Sequence, residues 1–532
     1  MLKRTFLIAA VSALLTLPVG ACGASDADEH DADGGPECSC SIVDGSTPDA
    51  ARPHDAGVDA PSDADAAVDA ETTLLDLRAP REMRGLWVST VDNIDFPKNN
   101  PDAAAARVQL AAIAERAKHA GLNALFFQVR PESDALYRST IEPWSRYLTG
   151  VQGRDPGYDP LAILLEEAHA RGLEVHAWVN PYRAKLRTAD TTVEGHISRA
   201  LASAAVTYNG AVTMDPSRPE VRTWLTDVLS DLLARYAVDG LHYDDYFYPY
   251  PDGNNTQFPD AARYTAYTQG GGALSRVEWR IDNVNQMVRA TAELIQAAHA
   301  SVRFGISPFG IYRPDPTHGI TGLDAYTALA CDAPRWVAEG WVDYITPQLY
   351  WTTTQTGQAF GTLAGLWAGH MQGEAQLYLG HGLYRLGSSA QWTFQELITQ
   401  VAIGRGLRES GHSAVTGSVF FTAHDLEGRE DTFASELFAT RALPPELPRA
   451  ARLGTVPPPV IVGRDATQVQ LAPDAEPMVF RALYTQDEAG AWRLYDLVAG
   501  DRTEIEVPAG ALAIANVRRG AVQSLAVPVP GG

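Results

Sequence analysis

Residues 218–245 read RPEVRTWLTDVLSDLLARYAVDGLHYDD, a helical pattern that leads directly into a short apolar strand. The spacing predicts a helix over Arg218–Tyr236 and a strand over Val238–Asp244. The strand ends in two adjacent acidic residues, Asp244 and Asp245. A helix that alternates with buried strands predicts parallel strands joined by crossover helices.

The same alternation occurs eight times along the chain. Eight units in roughly 360 residues fit a (β/α)₈ TIM barrel with extended loops, which we predict over residues 80–445. A doubly wound sheet is the alternative, but no glycine-rich phosphate loop follows any strand. The predicted strands are Arg84–Thr90, Leu122–Val129, Leu173–Val179, Val238–Asp244, Arg303–Ser307, Val342–Leu349, Gln376–Gly382 and Thr416–Thr422.

Further helices are predicted over residues 103–120, 159–171 and 276–300. Asp159 is placed to cap the second of these, and Gly121 and Gly172 fall where helix C-terminal glycines belong. In the first helix, spacing predicts that Val108 faces the core together with Ala114.

The N-terminus resembles an export signal. Two basic residues precede an apolar run, Phe6–Leu17, that is too short to span a bilayer. Val19–Cys22 resembles a bacterial lipobox, so we predict a signal peptide over residues 1–21 and lipidation of Cys22. The expected location is the cell envelope, at the outer membrane if the host is Gram-negative.

Residues 22–79 are predicted to be a disordered tether. Between Gly23 and Thr73, acidic residues outnumber basic ones by 14 to 1, which accounts for more than half of the net charge of −23. A stretch so poor in large apolar residues cannot form a core. The rest of the mature chain is mildly acidic without a basic stripe, which argues against a nucleic-acid partner.

After Pro444 the pattern changes to short strands separated by Gly, Asp and Pro turns. We predict a small β-sandwich of immunoglobulin or fibronectin III type over residues 456–532. Its sequence shows no candidate chemistry.

Catalytic groups of TIM barrels lie at the C-terminal ends of the strands. The strand ends of this chain combine aromatic residues, which stack on sugar rings, with carboxylates and amides, which bond to hydroxyls. The predicted substrate-binding residues are Trp87, Gln128, Arg130, Asp134, Trp178, Asn180, Tyr182, His242, Tyr246, Gln348 and Tyr350.

The adjacent carboxylates of Asp244 and Asp245 are the predicted catalytic pair. Their proximity would separate their pKa values, as acid and base roles require. One of them could instead cap a loop and the other pair with Arg130 or Arg183. A third interpretation makes His242 a metal ligand together with both aspartates.

Several runs resemble a bacterial glycosyl-hydrolase-like lipoprotein family. The similarity covers roughly residues 81–443, and Glu132 is a departure, since a small residue is expected there. The matching runs are Met83–Val88, Phe127–Pro131, Asp134–Tyr137, Glu142–Ser145, Glu174–Arg183, Asp244–Pro249, Arg280, Asp282–Asn285, Phe304–Gly310 and Asp343–Trp351.

The resemblance implies a TIM-barrel glycosidase, with some members acting on peptidoglycan strands stripped of their peptides. We therefore predict a two-carboxylate glycosidase without a cofactor, with Asp244 as nucleophile or base and Asp245 as acid or as modulator of its neighbour. The second carboxylate could instead be Asp134 or Asp425. A non-catalytic glycan-binding protein and a metal-dependent polysaccharide hydrolase or deacetylase are the alternatives.

Overall fold

The computed structural model describes residues 73–254, 256–465, 467–506, 508 and 510–529. The predicted signal peptide, Cys22 and the tether up to Thr72 lie outside these residues. From Thr73 onward the chain forms one compact unit. Within the described residues, no helix is both long and apolar enough to cross a membrane.

Eight parallel strands close into a barrel, as predicted. Each strand pairs with its neighbours in chain order, and β1 closes the ring by pairing with both β2 and β8. The strands are β1 Met83–Val88, β2 Ala124–Arg130, β3 Glu174–Val179, β4 Gly240–Tyr243, β5 Arg303–Ile306, β6 Tyr344–Ile345, β7 Gln376–His381 and β8 Val415–Phe421.

The crossover helices cover the outside of the barrel. Asp159 caps the second helix by accepting from Ala162 N, and Gly121 and Gly172 adopt positive φ angles at helix ends, as predicted. The main helices are α1 Ala103–His119, α2 Pro160–His169, α3 Pro219–Arg235, α4 Arg276–Ala298, α5 Ala333–Ala338, α6 Phe360–Gly369 and α7 Phe394–Glu409.

The prediction for the buried face of α1 was wrong in part. Val108 is 69% exposed, whereas Leu110 and Ile113 are buried. The buried face includes Ala106, Leu110, Ile113 and Ala117. The larger apolar side chains, Leu110 and Ile113, determine which face of α1 is buried, and Val108 lies outside that face.

Two strand glycines make room for the rings that fill the barrel. A Cβ on Gly240 would lie 2.5 Å from His176 Nδ1, and one on Gly305 would lie 2.1 Å from the Tyr344 ring. These contacts leave no space for a side chain. The two glycines therefore allow the rings of His176 and Tyr344 to pack inside the barrel.

The connection from β3 to β4 contains a small antiparallel sheet that the sequence pattern did not predict. Its strands are Arg183–Lys185, Ala205–Tyr208 and Ala211–Met214, with the last in the middle. Strands of three or four residues are too short to show a clear alternation.

The C-terminal region is a two-sheet β-structure, as predicted. Val469 and Ile505 of the smaller sheet share a buried cluster with Leu483 and Ile514 of the larger one. The smaller sheet contains β9 Ile461–Arg464, β10 Gln468–Leu471 and β13 Glu504–Glu506, and the larger contains β11 Phe480–Gln486, β12 Trp492–Ala499, β14 Leu512–Arg518, β15 Val522–Gln523 and β16 Val527–Val529.

The sandwich packs against the end of the barrel where the strands begin. Asp343, just before β6, accepts from Phe304 N and pairs with Arg449, which lies in the segment that leads from the barrel to the sandwich. Gly172, before β3, lies against Leu497 of β12. Leu75 exchanges backbone hydrogen bonds of 2.9 and 2.8 Å with Ala526, so part of the segment before the predicted barrel boundary at residue 80 pairs with the sandwich.

Candidate active site

The carboxylate of Asp244 lies directly after β4 and is surrounded by N–H donors. Trp178 Nε1 and Asn180 Nδ2 donate to Oδ2 over 3.2 and 3.0 Å. The backbone N–H of Asp245 and Gln348 Nε2 donate to Oδ1 over 2.9 and 3.4 Å. Ionised carboxylates only accept hydrogen bonds, so this environment suits a charged Asp244.

A chain of side-chain amides fixes the donors to Asp244. The backbone N–H groups of Thr90 and Val91 donate to Gln128 Oε1, which turns Gln128 Nε2 toward Asn180 Oδ1 at 2.7 Å. Arg183 Nη2 also donates to Asn180 Oδ1 over 2.9 Å. Since that oxygen accepts two hydrogen bonds, the Asn180 amide can only donate to Asp244.

Asp245 is buried beside Asp244 and accepts a short hydrogen bond from the Tyr250 hydroxyl at Oδ2. Burial raises the pKa of Asp245 well above its ordinary value, and the charge of Asp244 raises that pKa further. A carboxyl group with a raised pKa keeps its proton to higher pH than an ordinary carboxyl group does. The assignment of acid and base roles to this pair stays a prediction.

Aromatic side chains flank the carboxylates on two sides. On one side, the Arg183 guanidinium lies 4.9 Å from the Tyr246 ring centroid, and Tyr246 packs edge-on against Tyr250. On the other, Tyr350 stacks on Phe421 at 6.0 Å and meets Tyr384 edge-on at 5.8 Å. Gln348 is anchored by Ser307, whose carbonyl accepts from Gln348 Nε2 over 3.1 Å.

Trp87 and His242 form the floor of the site within the barrel. Trp87 Nε1 donates to His242 Nε2 over 3.2 Å, and His242 Nδ1 contacts the Tyr344 hydroxyl at 3.1 Å. Burial lowers the pKa of His242 well below its ordinary value, so the ring is neutral. Across the part of the chain that the structure describes, no three His, Cys, Asp or Glu side chains are grouped to hold a metal ion.

Three further predicted substrate-binding residues are buried away from the surface of the site, as Gln128, Asn180 and His242 are. Arg130 is 1% exposed, and it forms a two-pronged salt bridge with Glu142 and donates to the Asn180 carbonyl. Asp134 is fully buried and accepts from Gln152 Nε2. Tyr182 is 1% exposed in the core outside the barrel. Their burial corrects the prediction that they contact sugar directly.

The other predicted carboxylates have structural partners. Asp425 accepts from Thr422 Oγ1 at 3.2 Å. Asp95, in the loop after β1, accepts from Thr422 Oγ1, Ser89 N and His424 N, and burial raises its pKa to about 6. Glu132 pairs with Arg146 at 2.6 Å. The Asp95 bonds tie the β1 loop to the β8 loop beside the site, whereas the Glu132–Arg146 pair lies within the connection that follows β2.

Arg280 and Asn283 of α4 contact the loop after β4 at some distance from Asp245 along the chain. Arg280 pairs with Asp260 and lies over the Tyr248 ring, and Asn283 donates to the Tyr248 hydroxyl. They thus hold the loop after β4 at Tyr248. Cys331 is a buried free thiol.

Two residues of the site were not predicted. Tyr250 ends the aromatic run that begins at Tyr246, and Phe421 is the last residue of β8. Tyr250 could have been found by extending the run after Asp245. Phe421 was included in a predicted strand, but period-two alternation alone does not show that a strand-end ring meets Tyr350.

Comparison with known proteins agrees with this architecture. The Glycosyl hydrolase-like 10 family matches residues 82–395. "Glycosyl hydrolase YngK" of Bacillus subtilis is 37% identical over 388 residues, which cover 70% of this chain and 74% of that protein. "Glycosyl hydrolase DigH" of Escherichia coli K12 is 36% identical over 338 residues, which cover 59% of this chain and 76% of that protein.

Among solved structures, the glycoside hydrolase domain of PgaB (BpsB) from Bordetella bronchiseptica aligns with a TM-score of 0.43 and 12% identity. The alignment covers 67% of this chain and 98% of that one. The match of the family over most of the barrel, together with the identity to YngK, decides the assignment. The chain belongs to the Glycosyl hydrolase-like 10 family.

Proposed function

We propose that this protein is a glycoside hydrolase that cleaves a cell-envelope polysaccharide, namely the glycan strands of peptidoglycan. The observation that carries the proposal is the pair at the end of β4, where Asp244 accepts hydrogen bonds from four N–H donors and burial raises the pKa of the neighbouring Asp245 carboxyl. Such a pair supplies the carboxylate and the acid that glycosidic bond cleavage requires. Flanking aromatic rings suit the apolar faces of sugars.

In the proposed reaction, Asp245 transfers its proton to the glycosidic oxygen while the bond from the anomeric carbon to that oxygen breaks. The bonding electrons leave with the oxygen. Asp244 either takes a proton from the attacking water or attacks the anomeric carbon and is later released by water. When Asp244 is the nucleophile, Asp245 regains its proton from the water that releases Asp244. When Asp244 is the base, the proton that it takes from water returns to Asp245 through solvent. Both courses consume one water molecule per bond.

The choice of peptidoglycan rests on the sequence runs that resemble envelope glycosidases and on the lipobox-like Val19–Cys22. A lipid on Cys22 would hold the enzyme at the envelope membrane, where its polymer lies. This location is part of the same proposal.

The test incubates the full chain carrying Cys22→Ala with peptide-free glycan strands and follows released fragments by mass spectrometry. In that background, Asp244→Asn and Asp245→Asn should each lower turnover by about a hundredfold or more. Binding of the strands should persist, because the amides and rings remain. Asp425→Asn is the matched control and should retain activity.

The alternatives predict different results. Cleavage lost in EDTA and restored by a divalent metal would favour the metal-dependent hydrolase. Glycan binding without cleavage of any envelope glycan by the unmodified site would favour the binding protein. Near-normal turnover in both Asn variants would place the chemistry elsewhere.

A further inference from the structure

Tyr250 connects the loop after β4 to the carboxyl group of Asp245. Its hydroxyl donates to Asp245 Oδ2 in a short hydrogen bond. Its ring is held edge-on between Tyr246 and Phe309, with centroid separations of 5.7 and 6.0 Å. The direction of the hydroxyl is therefore set by packing as well as by the hydrogen bond.

We infer that Tyr250 is a positioning residue that fixes which oxygen of Asp245 delivers the acid proton. A protonated carboxyl group carries its hydrogen on one oxygen and has the other free to accept. Because Tyr250 donates to Oδ2, that oxygen is the acceptor and Oδ1 carries the proton. This inference rests on the proposed function, in which Asp245 is the acid.

The surroundings of Asp245 determine what happens when this bond is removed. The ionisable groups that interact with Asp245 are Asp244, Tyr246, Tyr250, Tyr350 and Cys331. Burial and Asp244 raise the pKa of the Asp245 carboxyl, whereas the hydrogen bond from Tyr250 lowers it. Loss of the Tyr250 hydroxyl should therefore raise this pKa further.

Arg183, the cation over the Tyr246 ring, bonds to Asn180 and to the Pro131 carbonyl. Those bonds are untouched by a change at residue 250. The pH response of a Tyr250 variant thus reports on the Tyr250–Asp245 bond.

Tyr250→Phe keeps the ring and removes only the hydroxyl. Its kcat on peptide-free glycan strands should fall by about ten- to a hundredfold, the size expected for one hydrogen bond to a carboxyl group, while KM stays within about threefold. The acid must be protonated to act, so activity falls as the pH rises through the pKa of Asp245. This fall on the alkaline side of the pH–activity profile, its basic limb, should move to higher pH in the variant.

Tyr236→Phe is the matched control. The Tyr236 hydroxyl donates to Asp159 Oδ2 over 2.5 Å, so the variant removes the same kind of hydrogen bond from the outer surface of the barrel. It should lower the melting temperature slightly and leave the basic limb where it is. A shift of the limb in this control would assign the effect to general destabilisation and overturn the inference.

A second measurement does not depend on turnover. Infrared difference spectra of the carboxyl C=O stretch, recorded against pH and corrected with Asp245→Asn, follow the protonation of Asp245 itself. The pH at which half of the Asp245 carboxyl groups are protonated, the midpoint, should be higher in Tyr250→Phe than in the parent chain.

An unchanged midpoint would overturn the role of Tyr250, whether or not the enzyme cleaves glycan. If the midpoint moves but the parent chain cleaves no glycan, the Tyr250–Asp245 coupling is supported and the proposed function fails. A changed midpoint with an unchanged kcat would show coupling without positioning and would also overturn the inference.

Discussion

The side-chain amide of Asn180 donates to Asp244 Oδ2 over 3.0 Å, and it cannot be reversed because Gln128 and Arg183 both donate to its oxygen. The catalytic candidate at the end of β4 is thus oriented by Gln128 of β2 and by Asn180 and Arg183, which follow β3. Activity should depend on these amides even though they need not touch the reacting atoms.

Asn180→Asp should test this dependence. The substitution preserves size but replaces the donor facing Asp244 with a second carboxylate oxygen, so we expect kcat to fall by about tenfold or more and stability to fall by about 1–3 kcal/mol. Urea unfolding and glycan-cleavage kinetics measure the two effects. If Asn180→Asp retains full activity while Asn180→Ala loses it, then size, and not hydrogen-bond direction, is what matters.

Asp95 should give the protein a distinct pH dependence of stability. Its pKa is about 6 when folded against an ordinary 3.8, so the folded state holds the proton more tightly than the unfolded chain. The stabilisation is complete below about pH 4 and is lost as the pH rises through about 6, by about 3 kcal/mol in total.

Asp95→Asn removes that titration. The difference in unfolding free energy between the parent chain and the variant should therefore change by about 3 kcal/mol from pH 4 to pH 7, in favour of the variant. Urea titrations at both pH values measure it. An equal difference at the two pH values would show that Asp95 has an ordinary pKa in the folded protein.

Two glycines with similar backbone angles should respond differently to alanine. Gly150 and Gly172 have φ angles of +78° and +77°, but only Gly172 is crowded, since its Cβ would lie 2.4 Å from Leu497 Cβ. We expect Gly150→Ala to cost about 1 kcal/mol from backbone strain and Gly172→Ala to cost at least about 1 kcal/mol more. Equal melting temperatures would mean that the sandwich can move away from the barrel there.

The position at which the chain begins should affect folding. A chain beginning at Thr73 keeps the Leu75–Ala526 pairing and the packing of Ala79, and should unfold as the full chain does. A chain beginning at Pro80 should lose about 2 kcal/mol, because Leu75 and Leu77 no longer cover the larger sheet. Identical unfolding curves for the two chains would show that residues 73–79 contribute nothing.

Membrane attachment is a separate prediction. Cys22→Ala should move the protein from the membrane fraction to the soluble fraction without changing its melting temperature, since the lipid site precedes the compact unit. Fractionation followed by immunoblotting measures the change. Continued sedimentation with membranes would refute the proposal that Cys22 carries the anchor.

The sequence was sufficient for the barrel because its strands are buried on both faces and stand out as short apolar runs between amphipathic helices. It also placed Asp244 and Asp245 at the end of β4, where the structure has them, while their catalytic role stays a prediction. It failed for Arg130, whose partner Glu142 lies in the following loop and reaches it only through tertiary contact. It failed for Tyr182 because residues beyond a strand's last pair no longer follow its alternation.

The attachment of Leu75 to Ala526 also determines how the molecule would bear a mechanical load. Tension applied at Thr73 would act first on the larger sheet of the sandwich and then on the end of the barrel where the strands begin. Asp244 and its donors lie at the opposite end of those strands. If the protein were pulled by its N-terminal segment, the force would therefore act first at the end of the barrel opposite the candidate active site.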